Sequence, residues 1–245
     1  MVENDMKKLA IWLSTPNHIM VEIARDLGYR RFVLDIEHGL FDLADTDRLI
    51  ALIKASGCQV YGKVLGPETI PIQQALDMGC DGVIIPHIED VDHARKVTLA
   101  AKYPPLGIRS FSGTRPAGYG GAPQEYYERE NHHTRCYPMV ESAAALQDIE
   151  AILALPTVDG VFVGPSDLSL SRGRGAYRNN DEDKADLRRI AAAAAAAKKP
   201  WIMPAWTDAE RILSDQLGAH FMVVADETGS LKWALAEAMK TPQAS

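Results

Sequence analysis

Residues 31–64, RFVLDIEHGLFDLADTDRLIALIKASGCQVYGKV, contain a β-branched and apolar run, an amphipathic run and then a second apolar run. The amphipathic run ends at Ser56 and Gly57, where a glycine supplies the left-handed C-cap that turns the chain out of a helix. This order and spacing predict a strand, a helix and a second strand parallel to the first.

The same unit recurs along the chain. Strands are predicted at residues 9–14, 31–37, 59–65, 82–87, 136–141, 160–164, 201–206 and 220–226. Helices are predicted to begin near residues 18, 44, 70, 91, 142, 184, 208 and 231. Eight such units predict a single (β/α)8 TIM barrel, one domain over residues 1–245. Residues 104–135 and 169–183 interrupt the pattern and are predicted to be long loops.

Composition excludes several classes of protein. The chain is 47% hydrophobic and 24% charged, with a formal net charge of -7, which argues against nucleic acid or an anionic membrane as the main partner. There is no signal-peptide pattern and no run of 18 apolar residues, so a cytoplasmic protein without a membrane span is expected. Cys58, Cys80 and Cys136 form no CxxC pair and are predicted to be reduced, buried thiols.

Ionisable residues follow the predicted strands, where a barrel enzyme assembles its active site. The DIEHG string at residues 35–39 ends the second strand with two acids and a histidine. The residues selected by this rule are Glu37, His38, Lys63, His87, Glu141, Asp167 and Asp226.

Glu141 and Asp167 follow neighbouring strands and are candidate ligands for a metal ion. Two carboxylates with several waters suit an octahedral Mg²⁺ or Mn²⁺ that keeps positions open for substrate oxygens. Each acid could instead be a helix N-cap or a first-turn residue that interacts with the helix dipole.

His38 is the candidate general base, because its side chain titrates nearest to neutrality. Asp35 and Asp77 are candidate residues to orient it, although a histidine beside glycine could also be an ordinary turn residue. Lys63 could stabilise an enolate as a cation, form a Schiff base as an amine, or simply extend to solvent.

Four strings resemble the HpcH/HpaI family: DIEHG (35–39), QQALDMGCDGVIIPHIED (73–90), YPPLGIRS (103–110) and VDGVFVGPSDLSLSRG (158–173). The resemblance runs from about residue 8 to 235 and implies a metal-dependent class II aldolase that acts on pyruvate. It implies a divalent metal, Mg²⁺ or Mn²⁺ with Co²⁺ as a further candidate, on Glu141 and Asp167. It also implies that the backbone around Gly164, Ser166 and Asp167 holds the pyruvate carboxylate.

The resemblance further implies that His38 is the base and that Asp77 raises its basicity. Two positions depart from the family pattern: Lys63 replaces an arginine that stabilises the enolate, and Met139 replaces a glutamine that contacts substrate. A lysine offers a point charge where a guanidinium offers a planar, bidentate contact.

The expected function is the cleavage or formation of 4-hydroxy-2-keto acids through a pyruvate enolate and an aldehyde. The alternatives are decarboxylation of a 2-keto diacid such as oxaloacetate, a Schiff-base aldolase that uses Lys63, and a non-catalytic barrel that binds keto acids. The Schiff-base alternative would leave a borohydride-trapped adduct on Lys63.

Two further expectations concern partners. Trp233 and Leu235 on the last helix could pack against another subunit, or that helix could be exchanged between subunits, and the family implies a homo-oligomer, a trimer or a hexamer built from trimers. The cluster Arg172, Arg174 and Arg178, together with Arg115, could select an acceptor aldehyde that carries a carboxylate.

Overall fold

The computed structural model describes residues 8–240. Eight parallel strands pair in chain order and close into a barrel, which confirms the predicted (β/α)8 fold. The strands are β1 (Leu9–Leu13), β2 (Arg31–Asp35), β3 (Gln59–Lys63), β4 (Gly82–Ile85), β5 (Arg135–Val140), β6 (Val161–Val163), β7 (Trp201–Pro204) and β8 (Phe221–Asp226). The two ends of the predicted 1–245 domain, residues 1–7 and 241–245, lie outside the described residues.

Helices surround the barrel. They are α1 (His18–Asp26), α2 (Leu43–Ala55), α3 (Thr69–Asp77), α4 (Val91–Thr98), α5 (Gln124–His133), α6 (Ala143–Gln147), α7 (Ile149–Ala154), α8 (Pro165–Ser171), α9 (Asp181–Ala197), α10 (Asp208–Gln216) and α11 (Glu227–Ala238). The predicted glycine stops are present, and the φ of Gly57, 72°, is in the left-handed region where a Cβ would be strained.

Side chains along each strand point alternately into the barrel and toward the helices, which divides the core into two parts. Inside the barrel, residues such as Ala10, Tyr61 and Phe162 pack against one another. The intervening residues, for example Ile11 and Val83, pack outward against the helices. Because successive strand side chains point to opposite faces, the last interior residue of each strand projects into the mouth of the barrel.

The two long loops predicted from the sequence contain helices. Helix α5 and a 3-10 turn at Arg115–Ala117 lie within residues 104–135, and the ends of residues 169–183 belong to α8 and α9. Helix α5 is strongly polar and buries only Tyr126. It therefore lacks the apolar stripe by which a helix is recognised in a sequence.

The described part of the chain contains no helix that is long and apolar enough to cross a membrane. Cys58, Cys80 and Cys136 are free and buried, as predicted. Burial raises the pKa of the Cys80 and Cys136 thiols, so they behave as small apolar side chains.

Helix α11 is largely exposed. Glu227 is its only buried residue, and the exposed fractions of Trp233 and Leu235 are 69% and 65%. This exposure agrees with the expectation that the helix packs against another subunit, which remains a prediction.

Candidate active site

A cavity of about 250 Å³ lies at the carboxyl ends of the strands. Alternation places Asp35 at the interior end of β2 and Lys63 at the interior end of β3, while Gly164 directly follows β6. The cavity is lined by Trp12, Asp35, His38, Lys63, Met139, Phe162, Val163, Gly164, Pro165, Ser166, Asp167, Pro204 and Trp206. Seven predicted site residues thus lie at one end of the barrel: His38, Lys63, Met139, Gly164, Ser166, Asp167 and the adjoining Glu141.

Lys63 is buried between two carboxylates. Its Nζ is 3.2 Å from Oδ1 of Asp35 and 2.5 Å from Oε2 of Glu37. Burial raises the pKa of Glu37, but the contacts with Lys63 and His87 outweigh that effect, so the pKa lies below its ordinary value. The ammonium of Lys63 is therefore held as part of an ion-pair network and does not extend to solvent.

His87 connects this network to the next acid. Its Nε2 is 2.5 Å from Oε1 of Glu37, and its backbone N–H donates to Oε1 of Glu141 at 2.5 Å. The φ of His87 is 59°, an uncommon value for a residue with a side chain. This left-handed backbone allows one residue to contact Glu37 with its ring and Glu141 with its amide.

Glu141 directly follows β5 and is buried, with 8% of the residue exposed. Its pKa is raised, chiefly by burial and in addition by the negative charge of Asp167, although the His87 amide and ring oppose the increase. A Cβ at position 164 would lie 2.9 Å from Oε2 of Glu141, so only glycine leaves room for this carboxylate. No donor among residues 8–240 forms a hydrogen bond with Oε2.

Asp167 lies in the first turn of α8 rather than at the end of β6. Gly164 is the N-cap of this helix and Pro165 its first residue, a position that proline favours because no intrahelical N–H is lost. The short turn carries Ser166 and Asp167 to the rim of the cavity, near Glu141. The predicted first-turn position of Asp167 is therefore confirmed, and the residue also lines the cavity, while its role as a metal ligand stays a prediction.

Two carboxylates form the possible metal-binding set. Over residues 8–240, no group of three or more His, Cys, Asp or Glu side chains is arranged to hold a metal ion. One oxygen of Glu141 has no hydrogen-bond donor among residues 8–240, and its pKa is raised chiefly by burial and in addition by the charge of Asp167. A hard divalent cation that retains waters and accepts substrate oxygens fits this pair.

His38 lies at the mouth of the cavity, and 68% of its side chain is exposed. Its backbone N–H donates to Oδ1 of Asp35 at 3.2 Å, and its Nε2 is 3.5 Å from Oε1 of Glu37. Of the two residues predicted to orient His38, Asp35 is thus in contact with it through the backbone.

The structure does not bring Asp77 to His38. Asp77 ends α3, and this helix runs antiparallel to the strands, so its last residue lies at the opposite end of the barrel from the cavity. Its carboxylate accepts a hydrogen bond from Nη2 of Arg109 at 3.0 Å. The prediction that Asp77 raises the basicity of His38 is therefore wrong within one chain, because linear spacing does not indicate which end of a helix reaches the site.

Three of the four arginines predicted to select a carboxylate acceptor form ion pairs elsewhere. Arg115 pairs with Asp47 at 2.8 Å and contacts the Met78 carbonyl, beyond the end of α3. Arg172 and Arg174 lie 3.1 Å and 2.6 Å from Oδ2 of Asp186 in α9. Charge in the sequence therefore suggested a role that ion pairing in the fold does not support.

Aromatic walls of the cavity were not identified from the sequence. Trp12 near the end of β1 and Trp206 just after β7 both line it, with Phe162 beneath Trp12. The position of Trp206 at the end of the predicted strand 201–206 is the sequence signal for its place in the cavity, whereas Trp12 lies within its predicted strand and has no such signal.

The barrel and its strand-end carboxylates define an enzyme of the TIM-barrel class. The HpcH/HpaI aldolase/citrate lyase family model matches residues 8–231, and the chain belongs to this family. A 5-keto-4-deoxy-D-glucarate aldolase of Klebsiella pneumoniae is 32% identical over 239 residues, which cover 95% of this chain and 92% of the relative. With relatives named as aldolases, the chain is an aldolase-type lyase.

Solved structures agree with this assignment. An HpcH/HpaI aldolase/citrate lyase family protein from Burkholderia cenocepacia has a TM-score of 0.86 and 25% identity, with 97% of each chain covered. A Mycobacterium tuberculosis protein, solved in complex with magnesium and pyruvate, has a TM-score of 0.55 and 14% identity over 96% of this chain and 92% of its own. The second likeness is one of fold.

Proposed function

We propose that this chain cleaves a 4-hydroxy-2-keto acid to pyruvate and an aldehyde, and catalyses the reverse addition, with a divalent metal. The proposal rests on one observation. Glu141 and Asp167 place two carboxylates together at a cavity, and no described cationic side chain pairs with either in a salt bridge apart from the weak contact of the His87 ring with Glu141 at 3.7 Å. Mg²⁺ or Mn²⁺, with Co²⁺ as an alternative, would be held by these two side chains.

A bound metal would supply Lewis-acid stabilisation of the negative charge that develops on the keto acid oxygen. Lys63, next to the interior face of the cavity, adds a fixed positive charge close to the same oxygen. The backbone around Gly164, Ser166 and Asp167 would orient the keto acid carboxylate, and Met139 would form an apolar contact.

His38 would move the proton. In the cleavage direction its neutral ring accepts the proton of the 4-hydroxyl group as the bond between C3 and C4 breaks, which releases the aldehyde. The electron pair of that bond passes into the keto acid as an enolate. Protonation of C3 then gives pyruvate, so the reaction requires no oxidant or reductant.

A Schiff-base mechanism at Lys63 is not supported by its surroundings. An amine must have a free lone pair to attack a carbonyl, whereas Lys63 contacts the carboxylates of Asp35 and Glu37, which stabilise the charged ammonium. Treatment with borohydride and pyruvate is expected to leave Lys63 unmodified. A trapped adduct on that residue would replace the metal-dependent proposal with the Schiff-base alternative.

The test of the proposed function is exchange of the pyruvate methyl protons with deuterium oxide, followed by NMR. This exchange requires only the enolate, so it does not depend on knowing the aldehyde. The enzyme reconstituted with Mn²⁺ should exchange, and EDTA should abolish the exchange until metal is restored. Exchange that survives complete metal removal would contradict the proposal, as would its absence at every metal tested.

We also propose that the protein forms a homo-oligomer, a trimer or a hexamer, through α11. The support is the large exposed apolar area of Leu231, Trp233 and Leu235 on that helix. Light scattering of the wild type and of Trp233→Asp should show an assembly that the variant weakens. A monomeric wild type would contradict the assembly.

A further inference from the structure

The outer part of the cavity is aromatic. Trp12 on β1 and Trp206 after β7 both line it, as does Pro204, the last residue of β7. The ring of Trp12 packs on Phe162, with 6.1 Å between their centroids, which fixes the indole in place. Trp206 is 44% exposed, so a face of its ring is available to a ligand.

The charged residues of the cavity are those of the proposed catalytic site. Asp35, Lys63 and Asp167 line the cavity, and Glu37 and Glu141 adjoin it through Lys63 and His87. Lys63 is already shared between two carboxylates. With a divalent metal, these groups still carry one net negative charge before the carboxylate of the keto acid enters. Apart from Lys63, no lysine or arginine among residues 8–240 lines the cavity, so none is available there to pair with a second carboxylate.

No arginine within residues 8–240 lines the cavity. Arg211 is the nearest to Trp206 in sequence, but its guanidinium donates to the carbonyls of Ala205, Trp206 and Val224 and contacts Asp208 at 3.4 Å. These bonds use its donors to connect the backbone after β7 with the backbone of β8. Arg211 therefore supports Trp206 and leaves no fork for a carboxylate ligand.

Trp206 also separates two cavities. A second cavity of about 610 Å³ lies between the end of β8 and α11, and it is lined by Trp206 together with Val224 and Trp233. The catalytic cavity is smaller than most ligand pockets, which span roughly 300–1,000 Å³. The Trp206 indole is thus a wall that limits the length of a molecule placed against the metal ligands.

We propose that the acceptor aldehyde is uncharged and carries a compact, flat apolar group, such as an aryl ring, which stacks on Trp206 and faces Trp12. This inference rests on the proposed function and specifies the substrate class of the same site. The indole faces supply apolar area and a preferred stacking geometry, whereas no unpaired lysine or arginine among residues 8–240 lines the cavity to receive a carboxylate-bearing aldehyde. Trp206 is the specificity-determining residue.

The test compares kcat/KM for benzaldehyde and for succinic semialdehyde in the addition to pyruvate by the full-length, Mn²⁺-loaded enzyme. The wild type should prefer benzaldehyde by about tenfold or more. Trp206→Ala should lose most of this preference, and Trp206→Phe should retain most of it. A ratio of two rates within one preparation does not depend on the fraction of the variant that is folded.

Ile212→Ala is a matched control, because Ile212 is an exposed apolar residue on α10 outside the cavity, and its ratio should equal that of the wild type. A wild-type preference for succinic semialdehyde, or an unchanged ratio in Trp206→Ala, would overturn the inference. Deuterium exchange of pyruvate distinguishes a failure of the acceptor inference from a failure of the proposed function. If exchange occurs without the aryl preference, the acceptor inference alone fails; if exchange is absent, the proposed function fails.

Discussion

Two pairs of carboxylates at the mouth of the barrel differ in how their charge is balanced. In the first pair, Asp35 and Glu37 contact the ammonium of Lys63, and Glu37 also contacts His87. In the second pair, no lysine or arginine among residues 8–240 forms a salt bridge with Glu141 or Asp167, and burial, together with the charge of Asp167, raises the pKa of Glu141. We name them the paired carboxylates and the open carboxylates.

The same end of the barrel therefore carries the paired carboxylates, whose role is structural, and the open carboxylates, which we propose bind the metal. The paired carboxylates each contact the Lys63 ammonium and hold it in place, so their removal should affect stability first. Burial makes the charged form of Glu141 costly, and a cation bound by the open carboxylates would reduce that cost. His87 joins the two pairs, because its ring contacts Glu37 and its amide contacts Glu141.

The largest effect is expected from the open carboxylates. Glu141→Gln and Asp167→Asn each remove one charged ligand, and pyruvate deuterium exchange at saturating Mn²⁺ should fall by about 10²–10³-fold or more. Circular dichroism should show that the fold remains. Exchange within threefold of the wild type in either variant would remove these residues from the proposed metal site.

The next largest effect is expected from the cation of the paired carboxylates. Lys63→Met leaves Asp35 and Glu37 buried together without a positive charge, and the free energy of unfolding should fall by about 3–5 kcal/mol. Urea titration measures this loss. Lys63→Arg keeps the charge and serves as the control. Equal destabilisation by both variants would mean that shape rather than charge dominates.

A smaller effect is expected from Glu37→Gln, which leaves Lys63 paired with Asp35. The free energy of unfolding at pH 7 should fall by about 1–3 kcal/mol. The pKa of Glu37 is below its ordinary value of 4.5, so its ionised form stabilises the fold above that pH, and this contribution disappears as pH falls through the folded-state pKa. The difference from the wild type should therefore close in acid. A difference that widens in acid would reverse the assigned sign.

The increase in stability on Mn²⁺ binding should distinguish the open carboxylates from the paired carboxylates, and it can be measured without substrate. Mn²⁺ at about 100 times its Kd should stabilise the wild type by about 2.7 kcal/mol, or roughly 5–10 °C in Tm. Asp167→Asn should lose this increase, whereas Glu37→Gln should retain most of it. An equal Mn²⁺ response in both variants would place the metal elsewhere.

The smallest effect is expected at Arg115, which lies away from both pairs and contacts Asp47. Arg115→Gln should leave the ratio of kcat/KM between benzaldehyde and succinic semialdehyde within twofold of the wild type. A selective loss of activity toward succinic semialdehyde would restore the acceptor role that charge in the sequence suggested.

Much of this architecture could be predicted because its signals are local. Periodicity and glycine stops, as at Gly57, indicate the eight units, and strand alternation places Lys63 and Glu141 on the interior face. The polar helix α5 was not predicted, because it has no apolar stripe. Asp77, predicted to raise the basicity of His38, does not reach it within one chain, because the position of Asp77 depends on the direction in which α3 runs.

The sequence by itself determined the barrel, the family and the candidate metal ligands, since each follows from a short-range pattern or a motif. The tertiary structure decided which charges are balanced. It placed Lys63 between Asp35 and Glu37, left the open carboxylates without such a partner and brought Trp12 and Trp206 to the same cavity. Burial and ion pairing depend on distances between residues far apart in the chain, and those distances exist only once the barrel has closed.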